Sequence, residues 1–224
     1  MGEAMWQKSN MLLFRNRAEA GRLLGSALAT YAGQANVVVL ALPRGGVPVG
    51  YAVARALSAT LDIFVVRKLG APGNPELAIG AVAPGGVCIL QDEIIARLQI
   101  SADEVAAIAS REEQARRQSE ELYRGSLPVH PVGDATVILV DDGIATGATM
   151  RAAIAALRRM QAGKIVVAVP VAPASTCREL PADHVVSLAT PDIFFTVGQW
   201  YVNFEQVSDQ QMAALLEEAS TFVA

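Results

Sequence analysis

The chain's strongest chemical pattern is Val137-Ile138-Leu139-Val140-Asp141-Asp142-Gly143-Ile144-Ala145-Thr146-Gly147-Ala148-Thr149. An apolar run meets two adjacent acids, then a loop of small residues, then the start of a helix near Thr149. Neighbouring carboxylates suit a diol, because each can accept a hydrogen bond from a hydroxyl. From Ala145 through Thr149 every side chain is small, so several backbone N–H groups can converge on one anion. The helix that follows adds the positive end of its dipole, and Thr146 and Thr149 add hydroxyl donors. Diol on Asp141 and Asp142, phosphate on Ala145, Thr146, Gly147, Ala148 and Thr149: together these describe a site for a sugar phosphate.

Three other groups sit where they could join it. Leu42-Pro43-Arg44-Gly45-Gly46 follows an apolar run; the Gly45-Gly46 pair allows close backbone approach to an anion and Arg44 supplies charge. Arg67 and Lys68 close the run that begins at Asp62, and strand alternation sends them to opposite sides, so one of the two, Lys68, is assigned to the pocket. Phe194, Phe195, Trp200, Tyr201 and Phe204 put five of the chain's twelve aromatic side chains into eleven positions around Val197-Gly198-Gln199. Such a cluster forms a small second core or covers a planar ligand. Glu76, Glu112 and Glu113 are the acids considered as a general base. His130 and His184 lie near prolines with no partner at metal spacing, and Cys88 and Cys177 have no CxxC spacing; all four read as structural or surface groups.

The elements that must position these residues alternate. Short β-branched runs at Val37–Leu42, Asp62–Val66, Thr136–Val140, Ile165–Pro170 and Val185–Leu188 suit strands buried on both faces. Helical patterns fall at Arg17–Tyr31, Pro48–Ser58 and Thr149–Gln161. Strand–helix alternation predicts an α/β fold: a doubly wound, mainly parallel sheet with helices on both faces. Ile79–Ala83 and Val87–Leu90, split by Pro84-Gly85-Gly86, predict an inserted hairpin; Gly70–Glu76 reads as a loop. Ser101 with Glu104 opens a long, mostly solvated helix to Tyr123, and Ser208 with Gln211 opens a last helix to Ser220. The expectation is a single domain over 1–224, with a core over about 17–190, an insertion over about 79–125 and an aromatic hood and tail over about 190–224.

Composition narrows the classes. Of 224 residues, 52% are apolar and 18% charged, with net charge −4, which excludes a disordered chain. The negative balance argues against a protein built around nucleic-acid phosphates. No apolar run approaches the ~20 residues of a membrane span, and no secretion leader is legible, so a cytoplasmic protein is expected. A G-x-x-x-x-G-K-[ST] loop and a G-x-G-x-x-G fingerprint are both absent.

The run from Val137 to Thr149 resembles the signature of the type I phosphoribosyltransferases: four apolar residues, two acids, two variable residues, then a small-Thr-Gly-small-Thr loop. The resemblance implies binding of 5-phosphoribosyl 1-diphosphate (PRPP), with Asp141 and Asp142 on the ribose 2- and 3-hydroxyls and Ala145–Thr149 on the 5-phosphate. It makes Arg44-Gly45-Gly46 the pyrophosphate loop, in which the family often has a cis peptide, here Pro43–Arg44. It gives Lys68 a role on the pyrophosphate and counts Arg44, Lys68, Asp141 and Asp142 as the catalytic set. The implied reaction moves the phosphoribosyl group to a nitrogen acceptor, a nucleobase or related compound, and releases pyrophosphate. Mg²⁺ is the implied cofactor, carried by PRPP without direct protein ligands, with Asp141 and Asp142 meeting it through water. The 6-oxopurine members have Asp at the position of Ala145, which sets this chain apart from them; adenine-type members can have Ala there. A homodimer is left open. The competing reading on the same fold is a non-catalytic sensor of PRPP or a nucleotide.

Overall fold

The computed structural model describes residues 13–125 and 127–222. Five parallel strands form the central sheet: β1 (Val37–Ala41), β2 (Thr60–Ile63), β6 (Thr136–Val140), β7 (Lys164–Val171) and β8 (His184–Ala189), in the order β2-β1-β6-β7-β8. Their continuous apolarity has the expected cause, since both faces are covered. Val39, Ala41, Ile138, Val140, Val166 and Ala168 pack toward α1 (Arg17–Ala27), α2 (Gly46–Leu57) and α7 (Asp209–Ala219). Leu40, Val137, Leu139, Ile165 and Val167 pack toward α5 (Ala148–Arg159) on the other face. All of β6 from Val137 to Val140 is fully buried, and each such aliphatic side chain contributes about 1.5–3 kcal/mol. The doubly wound sheet is therefore present as the sequence predicts.

The order places the site. The direction in which strands are added to the sheet reverses at β1: β2 lies on one side of it and β6, followed by β7 and β8, on the other. At such a switch point the loops leaving two neighbouring strands diverge and open a crevice at their carboxyl ends. The loops that leave there are 42–45 and 141–147.

A second, antiparallel sheet holds β3 (Arg67–Ala71), β4 (Asn74–Ala83) and β5 (Val87–Leu90). The hairpin β4–β5 matches the expectation, but two details differ from the sequence reading. Gly70–Glu76 is not a loop: β3 and β4 enclose only Pro72 and Gly73, and Gly73 has φ +74°, the left-handed conformation that the third residue of a Pro-Gly turn requires. Arg67 and Lys68 do not end the parallel strand, which stops at Ile63; they begin β3. Helices α3 (Asp92–Leu98) and α4 (Ala102–Arg124) cover one face of this sheet, burying Leu69, Ile79, Val82, Val105 and Ile108 together.

Helix α4 starts with the expected capping box, Ser101 and Glu104 each bonding the other's backbone N–H. Most of it is solvated, but its last turns carry a buried ionic chain. Arg124 Nη1 donates to Asp62 Oδ1 on β2 at 2.5 Å and Arg124 Nη2 to Glu120 at 2.9 Å; Glu120 and Glu113 in turn hold Arg116. The His130 backbone N–H donates to the other Asp62 oxygen. Helix α6 (Ala174–Glu179) links β7 to β8. Among the described residues no helix is long and apolar enough to cross a membrane.

Candidate active site

Loop 141–147 leaves β6 and ends at Gly147, the N-cap of α5, with φ +74°. A side chain there would meet Thr176 at 2.9 Å. The loop is held from behind by its carbonyls: the Thr176 hydroxyl donates to Ala145 O at 3.0 Å and Arg151 Nη2 to Thr146 O at 2.6 Å. Among the described residues, the backbone N–H groups of residues 145–149 donate to no protein acceptor. Unpaired N–H groups at the positive end of α5 make an anion cradle. They line a cavity of about 260 Å³ together with Asp141, Gly143, Ile144, Met150 and Val197.

The two acids are held differently. Asp141 faces that cavity; its Oδ1 accepts the Asp142 backbone N–H at 2.8 Å. Asp142 turns away, and its Oδ2 accepts Arg17 Nε at 2.7 Å. Arg17 also donates to Glu205 O at 2.7 Å and lies 3.8 Å above the Phe204 ring. The Tyr201 hydroxyl donates to the Asp142 carbonyl at 2.6 Å. Burial raises both carboxyls above the ordinary aspartate range; the Asp142 charge pushes Asp141 further up, while Arg17 pulls Asp142 back down.

The Pro43–Arg44 bond is cis. The glycine pair after it packs against the acids: a Cβ on Gly45 would lie 1.9 Å from Asp142 Oδ2, and one on Gly46 3.0 Å from Asp141 Cα. Arg44 itself points elsewhere. Its Nε is 3.3 Å from Asp209 at the start of α7, and the Tyr123 hydroxyl and Asp209 hold its pKa up. Lys68 does not line the Asp141 cavity; it lines a neighbouring one of about 550 Å³ that also reaches Ala148 and Thr149, and its Nζ is 3.3 Å from Glu76. Arg67 goes to the opposite side, onto Glu112 at 2.9 Å, as strand alternation requires.

The aromatic segment after β8 is mostly core. Trp200 and Tyr201 are buried with Phe14 and Val171, and Phe194 stacks on Trp200. Phe195 is 79% exposed, and Val197 is the member of this segment that enters the Asp141 cavity. Main-chain bonds from Phe14 to Trp200 and from Val202 to Phe14 tie the segment to the chain before α1.

A family model described as a phosphoribosyl transferase domain matches residues 13–211. The chain belongs to that family. Two Mycobacterium tuberculosis proteins, from strains CDC 1551 and H37Rv and provisionally named phosphoribosyl transferases, are 45% identical over 212 residues, 93% of this chain and 47% of theirs. The chain thus spans about half the length of the curated relatives it matches. The crystal structure of TT1426 from Thermus thermophilus is 42% identical with a TM-score of 0.81, covering 92% of this chain and 98% of that one. The structure brings Asp141 and residues 145–149, singled out from the sequence of this phosphoribosyl transferase domain, to one cavity. The sequence reading missed Arg17 and the Tyr201 hydroxyl, whose partner Asp142 lies 125 and 59 positions away. One local signal existed for Arg17: a cation as the first residue of a helix opposes the helix dipole, so a compensating anion was to be expected.

Proposed function

We propose that this domain transfers the 5-phosphoribosyl group of PRPP to a nitrogen acceptor and releases pyrophosphate. The observation that carries the reading is the single cavity in which Asp141 faces the unpaired N–H groups of residues 145–149. Phosphate takes the N–H groups and the Thr146 and Thr149 hydroxyls; Asp141 accepts from the ribose diol. The transition state of such a transfer is oxocarbenium-like, so the protein's work is to fix the sugar and stabilise the departing charge. Lys68, which lines the adjoining cavity, is the cation we assign to that task, and the Gly45-Gly46 backbone packs against the acid pair.

Mg²⁺ suits this donor set. Among the described residues no group of three or more His, Cys, Asp or Glu side chains converges, and an ion that keeps several waters and binds diphosphate oxygens needs no such group. When bound it would neutralise the diphosphate and meet Asp141 through water, while Asp142, turned onto Arg17, lies away from it.

Ala145 leaves the loop without a carboxylate to take an acceptor proton. Glu112 and Glu113 are poor substitutes. At Glu112 burial, which raises the pKa, is outweighed by Arg67 and Arg111; at Glu113, Arg116 and then Arg117 hold it low. Guanine and hypoxanthine are accordingly expected to be slower acceptors than adenine or orotate. Pyrophosphate release from Mg²⁺-PRPP across a panel of bases tests this, and faster turnover on either 6-oxopurine rejects it. The sensor reading draws on the pairing of Arg44 with Asp209 and Lys68 with Glu76; PRPP binding without release on any base would favour it.

A further inference from the structure

Arg17 is out of place by helix rules. It is the first residue of α1, where the dipole disfavours a cation, and only 12% of its side chain is exposed. What holds it there is not α1. Its Nε donates to Asp142 at 2.7 Å, its Nη1 to the Glu205 carbonyl at 2.7 Å, and the Phe204 face lies 3.8 Å away. Asp142 is equally fixed. Its side chain is 13% exposed, its Oδ2 fills the space that a Cβ on Gly45 would take, and its carbonyl accepts from Tyr201. Three remote parts of the chain therefore close on Asp142, two on its carboxylate and one on its backbone carbonyl, and Asp141 is the acid left facing the cavity.

We infer that Arg17 is the positioning residue of the acid pair: by pairing with the Asp142 carboxylate and keeping it turned toward Gly45, it leaves Asp141 presented to the sugar of a bound ligand. The inference rests on the sugar-phosphate reading above and adds a residue to it. Without the guanidinium, two adjacent carboxylates repel at short range in a buried setting, so the pair loses either its orientation or its full charge. Either loss weakens hydrogen bonds from sugar hydroxyls and leaves the phosphate loop intact. Phe204 and Tyr201, stacked 5.0 Å apart, make the aromatic segment part of the same arrangement.

The test is calorimetry with three probes: ribose 5-phosphate, 2-deoxyribose 5-phosphate and inorganic phosphate. The wild-type protein is expected to prefer the ribose over the deoxyribose compound. Arg17→Gln is expected to reduce that preference about tenfold, the scale of one hydrogen bond to a charged group, with phosphate affinity unchanged. Arg17→Lys restores part of the preference, since it keeps the charge and loses the fork. Phe204→Ala, which keeps every charge, moves the preference in the same direction by less and serves if Arg17→Gln does not fold. An undiminished preference in Arg17→Gln and Phe204→Ala overturns the inference. So does an equal loss for all three probes, the mark of a merely structural role. A wild-type protein that binds phosphate but does not distinguish the two sugars overturns the diol assignment as well, which separates that failure from a failure of Arg17 alone.

Discussion

Asp141 and Asp142 are neighbours in sequence with unlike surroundings. Asp141 has the cavity on one side and the Asp142 charge on the other, and its pKa lies well above that of an ordinary aspartate, 3.8, through burial first and that charge second. The ionised form is the one that accepts a hydroxyl proton. As pH falls through the raised value, affinity for ribose 5-phosphate should fall, at a pH where an ordinary aspartate remains ionised. Expressing it as a ratio to inorganic phosphate, from about pH 8 to about pH 5, removes the ligand's own titration. For folding the sign is opposite. A carboxyl raised in the folded state costs no stability below the unfolded pKa; the cost grows as pH rises above that value and is complete once pH passes the folded one. Asp141→Asn should cost ribose 5-phosphate about tenfold or more and leave phosphate nearly unchanged, measured by the same calorimetry. Equal loss on both would give Asp141 the role of supporting loop 145–149 instead.

At the scale of elements, α4 is fastened to β2 by charge as well as by packing. Asp62 and Arg124 are both buried, and Arg124 reaches Glu120 as well. Removing one partner of such a pair strands the other, which costs about 3–5 kcal/mol. Arg124→Met should show that loss in guanidinium denaturation, and Asp62→Asn combined with it should recover part. A loss below about 1 kcal/mol in the single variant would mean that water reaches Asp62. Glu112 and Glu113 are depressed carboxyls, so their contribution is present above the ordinary carboxylate pKa and is lost as pH falls through the lowered values. The elements were legible in the sequence to unequal degree. Val137–Val140 and Ile165–Val169 announce themselves because both faces are buried. Arg67-Lys68-Leu69-Gly70-Ala71 does not, because only Leu69 and Ala71 are buried and one position is glycine, and strand pairing rather than pattern makes it β3. The loop 145–149 was legible because its parts are contiguous. The Arg17–Asp142 pair was not, because only the folded chain brings α1 to the end of β6.

For the whole molecule, the two sheets differ in how deeply they are protected. β6 and β7 lie inside the parallel sheet with strands on both sides and helices on both faces. β5 is an edge strand of the antiparallel sheet, and its residues are half-buried to exposed. Opening free energy follows such burial. Amide hydrogen exchange should therefore be slowest in β6 and β7 and faster by orders of magnitude in β5, and ribose 5-phosphate should slow exchange in residues 143–149. Mass-resolved exchange measures both. Uniform protection across the two sheets would mean that they open as one unit.

The contact between Gly45 and Asp142 has an evolutionary consequence. A methyl group at position 45 would lie 1.9 Å from Asp142 Oδ2, well inside contact distance, so the two positions are not free to drift separately. Lineages that gain a side chain at 45 must shorten or redirect residue 142, and the arginine at 17 then loses its counter-ion at the buried start of a helix. Positions 17, 45 and 142, drawn from the first helix and from the loops that leave two different strands, should vary together across related sequences as one linked character.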